Sequence, residues 1–398
     1  MDLRDDARGM ADELTALRHA LHREPEVGLD LPRTQEKVLE AIGGLPLEVS
    51  TGRSLTSVTA VLRGGHPGPV VLLRGDMDAL PVQERIDVPF RSQVGQTMHA
   101  CGHDLHTTML VGAARLLSAQ REKLAGSVIF MFQPGEEGYD GARLMLEEGV
   151  LDAAGDRPVA AYALHVSSAR WPQGMFATRP GPLLAASDRL SVTVRGEGGH
   201  GSAPHQAKDP VPAACEMVTA LQTFLGRSID AFDPSVLTVG TFHAGTRPNI
   251  IPDQAHFEAT VRTFRPQVQD VIATGAPRVC EGIAAAHGLE VDVRYHVEYP
   301  VTVNSEEAAA YTGEVVADLF GGDRFEVSEN PLTGSEDFSR VLDSVPGAMV
   351  FLGAVPDGTY YENAPYNHSP YAAFDDAVLP DGTALYAELA ARRLAATA

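Results

Sequence analysis

Nine residues, Met98-His99-Ala100-Cys101-Gly102-His103-Asp104-Leu105-His106, hold a cysteine, three histidines and an aspartate. Thiolate and imidazole are the side chains that bind borderline transition metals. A single glycine separates Cys101 from His103, and its freedom lets both side chains turn toward one point. The small, apolar run Thr107 to Ala119 that follows reads as a helix. The pair then sits at the helix's N-terminal mouth, where the dipole favours a thiolate. Taken alone, the stretch reads equally as a buried free cysteine beside surface histidines, because two-ligand motifs recur by chance.

Other ligand types stand at regular places along the chain. Val70-Val71-Leu72-Leu73 is the continuous apolar run expected of a strand covered on both faces, and it leads into Arg74-Gly75-Asp76-Met77-Asp78. Ser127 to Phe132 is another such strand, followed by Gln133-Pro134-Gly135-Glu136-Glu137-Gly138. Val159 to Leu164 is a third, with His165 at its end, and His368 lies in Tyr366-Asn367-His368-Ser369-Pro370. Sites in open α/β sheets form beyond the carboxyl ends of strands. Asp78, Glu136, Glu137 and His165 are therefore expected at one sheet edge beside Cys101 and His103. Each has a plainer explanation: a solvated Glu-Glu turn, a satisfied half-buried histidine, a loop histidine beside proline. Their joint placement at strand ends and loops of one domain is what favours chemistry.

Cys101, His103, Glu137, His165 and His368 make five ligand candidates, more than one closed four-coordinate site needs. They suit two divalent ions about 3.5–4 Å apart that share a ligand and a water, the water serving as a hydroxide nucleophile near neutral pH. The Glu136–Glu137 pair offers a division of labour, with one carboxylate on the metal and its neighbour free to move the proton. Farther on, Gly196-Glu197-Gly198-Gly199-His200-Gly201 places a histidine where it can approach a ligand closely and donate to an oxyanion. Asn249 and Arg262 are the other polar candidates there. Arg262 suits a substrate carboxylate, or equally a surface ion pair.

The elements that must position these groups follow from periodicity. Asp6 to His22 and Arg33 to Ile42 read as helices. Strands and helices alternate through the first part, which reads as a doubly wound α/β domain. A Pro/Gly cluster at Arg179-Pro180-Gly181-Pro182 marks a boundary. From about 184 to 297 the order is β-α-β-β-α-β, the signature of a ferredoxin-like α+β unit. The expected fold class is therefore α/β with two domains: 1–183 with 298–398, and an inserted 184–297.

Composition limits the partners. The chain has 398 residues, 44% of them hydrophobic, with 31 Lys and Arg against 53 Asp and Glu and a formal net charge of −22. That argues against a nucleic-acid partner, which needs a basic footprint, and against docking on an acidic membrane. The three cysteines, Cys101, Cys215 and Cys280, are odd in number and widely spaced, which fits a reducing compartment. Met1-Asp2-Leu3-Arg4-Asp5-Asp6 is acidic where a signal peptide is basic, and no apolar run reaches membrane-span length. A cytoplasmic protein is expected.

Arg74-Gly-Asp-Met-Asp-Ala-Leu-Pro81, the Met98–His106 stretch, Gln133-Pro-Gly-Glu-Glu-Gly138 and Gly199-His-Gly-Ser-Ala-Pro-His205 together resemble the M20 metallopeptidase family. The resemblance is to its amidohydrolase branch of hippurate hydrolases, N-acyl-amino-acid amidohydrolases and auxin-conjugate hydrolases, and it covers nearly the whole chain. It implies a binuclear site of Cys101, His103, Glu137, His165 and His368, with Glu136 as general acid/base. It implies that Asp78 orients a ligand or the water, and that His200, Asn249 and Arg262 contact substrate or oxyanion, His200 in the partner subunit's site. The inserted domain would be a lid and a homodimerisation surface. The metals would be zinc or manganese, with cobalt or nickel also matching the ligands. The expected reaction is hydrolysis of an N-acyl amino acid to a carboxylic acid and an amino acid. A dipeptidase or carbamoylase on the same scaffold is the rival. His368-Ser369-Pro370-Tyr371 departs from the branch's usual His-Asn-Pro or His-His-Pro, and Leu29-Asp30-Leu31 replaces an early acidic pair.

Overall fold

The computed structural model describes residues 3–396, so Met1 and Asp2 of the acidic N-terminal run lie outside the described residues. The chain divides into two compact units. One is Met1–Leu183 with Val303–Asn330 and Arg340–Ala398, and the other is Leu184–Thr302 with Pro331–Ser339. The second unit thus runs past residue 297, which falls inside the strand Glu290–Tyr299, and it takes in a short piece of the returning chain.

The first unit is built on an eight-stranded sheet. Its early strands are β1 (Leu47–Thr51), β2 (Val58–Arg63), β3 (His66–Asp76), β4 (Ala125–Gln133), β5 (Pro158–Ser167) and β6 (Phe176–Thr178). The order is β1-β2-β4-β3-β5, then Gly347–Gly353, β6 and Phe325–Val327. β4, β3, β5 and Gly347–Gly353 run parallel, while β1 and β2 add antiparallel edges. The parallel strands are the apolar runs of the sequence, and their side chains are buried on both faces. Register decides what their ends can do. Asp76 pairs with Gln133, and Arg74 with Ala163, two residues short of His165. The three strands therefore end level, and the segments after them emerge at one edge.

Helix α4 (His103–Ala119) packs in the core of this unit, almost wholly buried. It starts at His103 rather than Thr107, because Gly102 takes the N-cap position and Asp104 supplies first-turn negative charge. The N-terminal helix expected over Asp6–His22 is two: α1 (Leu3–Gly9) and α2 (Ala11–Arg23), broken at Gly9-Met10, where glycine weakens a helix interior; α3 (Pro32–Ala41) follows.

α2 brings Arg18 and His22 against α4. Arg18 Nε donates to Asp104 Oδ2 at 2.8 Å, and His22 Nδ1 lies 2.7 Å from the same oxygen. His22 Nε2 is 3.1 Å from Glu84 Oε1. Burial alone would raise Asp104, but Arg18 and His22 overcome it and hold its carboxyl well below the usual range. Removing one partner of a buried charge pair typically costs about 3–5 kcal/mol, because the other charge is left unpaired. Arg18→Met is therefore expected to lower the unfolding free energy of the metal-free protein by about that much, read from urea unfolding. Arg18→Met/Asp104→Leu should recover a large part of it. A double mutant as unstable as the sum of the singles would contradict this.

In the second unit the four main strands are Ala186–Arg195, Ser235–Ala244, Gln254–Thr263 and Glu290–Tyr299, all antiparallel to their neighbours. Ser235–Ala244 and Glu290–Tyr299 are the edges, with Gln254–Thr263 and Ala186–Arg195 between them. Helices Pro210–Ser228 and Pro266–His287 complete the ferredoxin-like order. Gln254–Thr263 alternates strictly, burying Ala255, Phe257, Ala259 and Val261 in a core with Met217, Leu221 and Ile272. A two-residue ladder, Gly199–His200 with Ile250–Ile251, projects from one end. Cys101, Cys215 and Cys280 are unpaired thiols. Among the described residues, no helix is long and apolar enough to cross a membrane.

Candidate metal centre

Gly102 is what allows Cys101 and His103 to face one point. Its φ is +86°, and a Cβ there would lie 2.3 Å from Val166 Cγ2. Both the left-handed backbone and the close approach to β5 exclude a side chain. Cys101 Sγ then lies 3.4 Å from His165 Nε2 and 3.3 Å from His368 Nε2. His368 Nε2 is 3.1 Å from Glu137 Oε1, and His103 Nε2 is 3.9 Å from the same oxygen.

The five ligand candidates of the sequence thus gather at one place, and they fall into two sets that share Cys101. Cys101, His103 and His165 form one, and Cys101, Glu137 and His368 the other, with donor atoms within 4.8 Å of one another in each. Glu136 joins His103 and Glu137 in a third. The donors fit a pair of divalent transition ions: one thiolate, three imidazoles and a carboxylate. His103 Nε2 is buried and makes no hydrogen bond among the described residues, the condition of an atom awaiting a cation.

The protonation of His165 agrees with that reading. Burial, reinforced by His106, holds His165 well below the usual histidine range, so its ring is neutral, the ligating form. His165 Nδ1 donates to Val166 O at 2.8 Å, leaving Nε2 toward the thiol. His368 stands differently: hydrogen bonds to Cys101 and Glu137 raise it to about 10, so its ring carries a proton that ligation must displace.

Asp78 clamps the Glu-Glu loop. Its Oδ1 accepts from Glu136 N and its Oδ2 from Glu137 N, both at 3.0 Å, and Oδ1 stands 3.4 Å from His103 Nδ1. One buried carboxylate therefore sets both glutamates relative to a histidine. Asp76 and His106 are supporting residues that sequence reasoning left without a role. His106 Nδ1 lies 2.6 Å from Asp76 Oδ1, and its Nε2 accepts from Val166 N at 2.7 Å, tying α4 to the ends of β3 and β5. The available signal was spacing: His106 lies one helical turn from His103, and Asp76 two residues before Asp78.

His200, Asn249 and Arg262 belong to the second unit. Gly201 N donates to Asn249 O at 2.9 Å, so His200 and Asn249 are neighbours on the projecting ladder. Ser202 N donates to His200 Nδ1 at 3.1 Å, which places the ring proton on the exposed Nε2. Arg262 sits at the other end of the sheet. The ladder joins where Gln254 pairs with Arg195, while Arg262 pairs with Ser187. From Gln254 to Arg262 is about 27 Å of extended strand. Within one copy of this unit the three do not converge on a small ligand.

A level edge of parallel strands, a thiol shared by two ligand sets and an adjoining carboxylate make a candidate hydrolytic metal centre. The chain belongs to peptidase family M20/M25/M40, whose model matches residues 72–392. It is similar to thermostable carboxypeptidase 2 of Saccharolobus solfataricus, with 36% identity over 394 residues covering 98% of this chain and 97% of that one. It is equally similar to a hippurate hydrolase of Campylobacter jejuni, with 36% identity over 397 residues covering 99% and 100%. Among solved structures, a Bacillus subtilis protein described as a dinuclear metal binding peptidase of the M20 family matches with a TM-score of 0.82 at 32% identity, over 98% of this chain and 100% of that one.

Proposed function

We propose that this protein is a two-metal amidohydrolase that splits an N-acyl amino acid into a carboxylic acid and a free amino acid. The observation that carries the reading is the Cys101 thiol shared by two ligand sets, with Glu136 grouped beside His103 and Glu137. Zinc or manganese best suits the mixed thiolate, imidazole and carboxylate donors, and cobalt or nickel also fits. Bound there, divalent ions would supply an acidified water and a Lewis acid for the acyl oxygen. Cys101, His103, Glu137, His165 and His368 would hold them. Glu136 takes the proton of the attacking water and returns it to the departing nitrogen. Asp78 keeps Glu136 and Glu137 in place through their backbone N–H groups.

The second unit supplies the rest. His200, with its proton on Nε2, donates to the developing oxyanion, and Asn249 beside it contacts substrate. Arg262 grips the substrate carboxylate. The separation of His200 from Arg262 along the sheet favours a homodimer in which His200 serves the partner's site, with this unit as lid and dimerisation surface. Unpaired thiols suit a reducing cytoplasm.

A hippurate hydrolase and a carboxypeptidase are both named for hydrolysing an amide beside a free carboxylate, which supports this substrate class. The test is amine release from N-acyl amino acids, dipeptides and N-carbamoyl amino acids, each with added Mn²⁺ or Zn²⁺ and with a chelator. Chelator-sensitive cleavage favouring a subset of N-acyl amino acids is expected. Cleavage confined to dipeptides or carbamoyl compounds would replace this reading with its rival.

A further inference from the structure

We infer that Asn367 is a positioning residue that locks the Cys101, His165 and His368 segments into one register, and so sets how tightly the paired metal sites close. The inference rests on the two-metal reading above. Asn367 is half-buried and is no ligand candidate, yet its amide reaches all three segments. Nδ2 donates to Cys101 O at 3.1 Å and to Val166 O at 3.0 Å. Oδ1 accepts from Ser168 N at 2.9 Å and lies 3.1 Å from Ser168 Oγ, whose proton goes to Pro365 O at 2.8 Å. Both N–H donors are used, and the oxygen holds a backbone N–H. The orientation is fixed as well: a flip would face oxygen against two carbonyls and NH₂ against a backbone N–H.

Every one of these bonds ends close to a proposed ligand. Cys101 O belongs to the shared thiol's own residue. Val166 O also accepts from His165 Nδ1, the bond that turns His165 Nε2 toward the thiol. Ser168 lies just beyond on the same segment. Asn367 itself precedes His368, whose N donates to Ala100 O at 2.8 Å. Residues 367 and 368 thus grip the successive carbonyls of Ala100 and Cys101. His368 has φ +72°, a left-handed conformation uncommon for a histidine, which persists only where the surroundings hold it. Asn367 supplies that hold from the preceding residue. The chain brings these segments together across roughly 200 to 270 positions, so local propensity cannot substitute for the amide.

Loss of an outer partner of a metal ligand typically weakens metal binding about 10–100-fold. The experiment is Co²⁺ titration of the metal-free full-length protein against a competing chelator. It reads stoichiometry, affinity and the thiolate-to-cobalt charge-transfer band, with circular dichroism to establish that each variant is folded. The parent protein is expected to bind two Co²⁺ with a thiolate band. Asn367→Ala and Asn367→Asp should bind about 10–100-fold more weakly, with an altered band, because both lose the two donors. Asn367→Asp keeps the size and the Ser168 acceptor, and answers the question if the alanine variant does not fold. Ser168→Ala leaves both donor bonds intact and should stay close to the parent. Parent-like affinity and band in both Asn367 variants would overturn this inference alone. A parent protein that binds no Co²⁺ would overturn the metal reading and this inference with it.

Discussion

Glu136→Gln is expected to bind metal as the parent does and to lose about 10²–10⁴-fold in kcat, the usual worth of a positioned acid/base. The substitution keeps the shape of a buried side chain and leaves its backbone N bonded to Asp78 Oδ1, so the loop should not move. Glu137, the neighbouring ligand candidate, is untouched. What is lost is the capacity to accept a proton from water and return it to the leaving nitrogen. KM should change little, because the carboxylate acts on the reacting atoms rather than on substrate recognition. Steady-state kinetics on an N-acyl amino acid, with metal analysis of the same sample, checks this. A kcat within tenfold of the parent would remove Glu136 from the proton-transfer role.

Cys101→Ala is expected to be more severe for metal content than the alanine variant of His165 or of His368. Its Sγ belongs to both ligand sets, whereas His165 and His368 each belong to one. Losing it removes a donor from both sites at once. After dialysis against a weak chelator, the variant should hold almost no metal and turn over almost no substrate. His165→Ala and His368→Ala should each weaken one site more than the other. Metal analysis by mass spectrometry distinguishes the cases. A Cys101→Ala protein that loses one metal and keeps the other tightly would show that the thiol serves a single site.

The gathering of five distant residues was legible because strand ends carry a readable signature. Apolar runs at Val70–Leu73, Ser127–Phe132 and Val159–Leu164 each stop at a polar group, and parallel register brings those stops level. The ferredoxin-like order was legible for a similar reason, since Gln254–Thr263 alternates cleanly. Side-chain networks were not. Nothing in the spacing of Asp76 and His106 states that they bond each other, and an asparagine before His368 looks like any loop residue. The break at Met10 leaves no mark in the pattern, because Met10 itself stands in helical phase with Leu14, Leu17 and Leu21. Association of Pro331–Ser339 with the second unit depends on tertiary contacts that no local pattern records. His200 and Arg262 look equivalent in the sequence as polar residues in loops or at strand ends. Only the ladder shows them at opposite ends of one sheet.

The most direct test of the two-metal hydrolase is to titrate metal-free protein with Zn²⁺ or Mn²⁺ while following amine release from an N-acyl amino acid that the parent protein cleaves. The account predicts no turnover without metal and full activity only as the second equivalent per chain is bound. Full activity in protein shown to be metal-free, or a maximum reached at one equivalent, would contradict it.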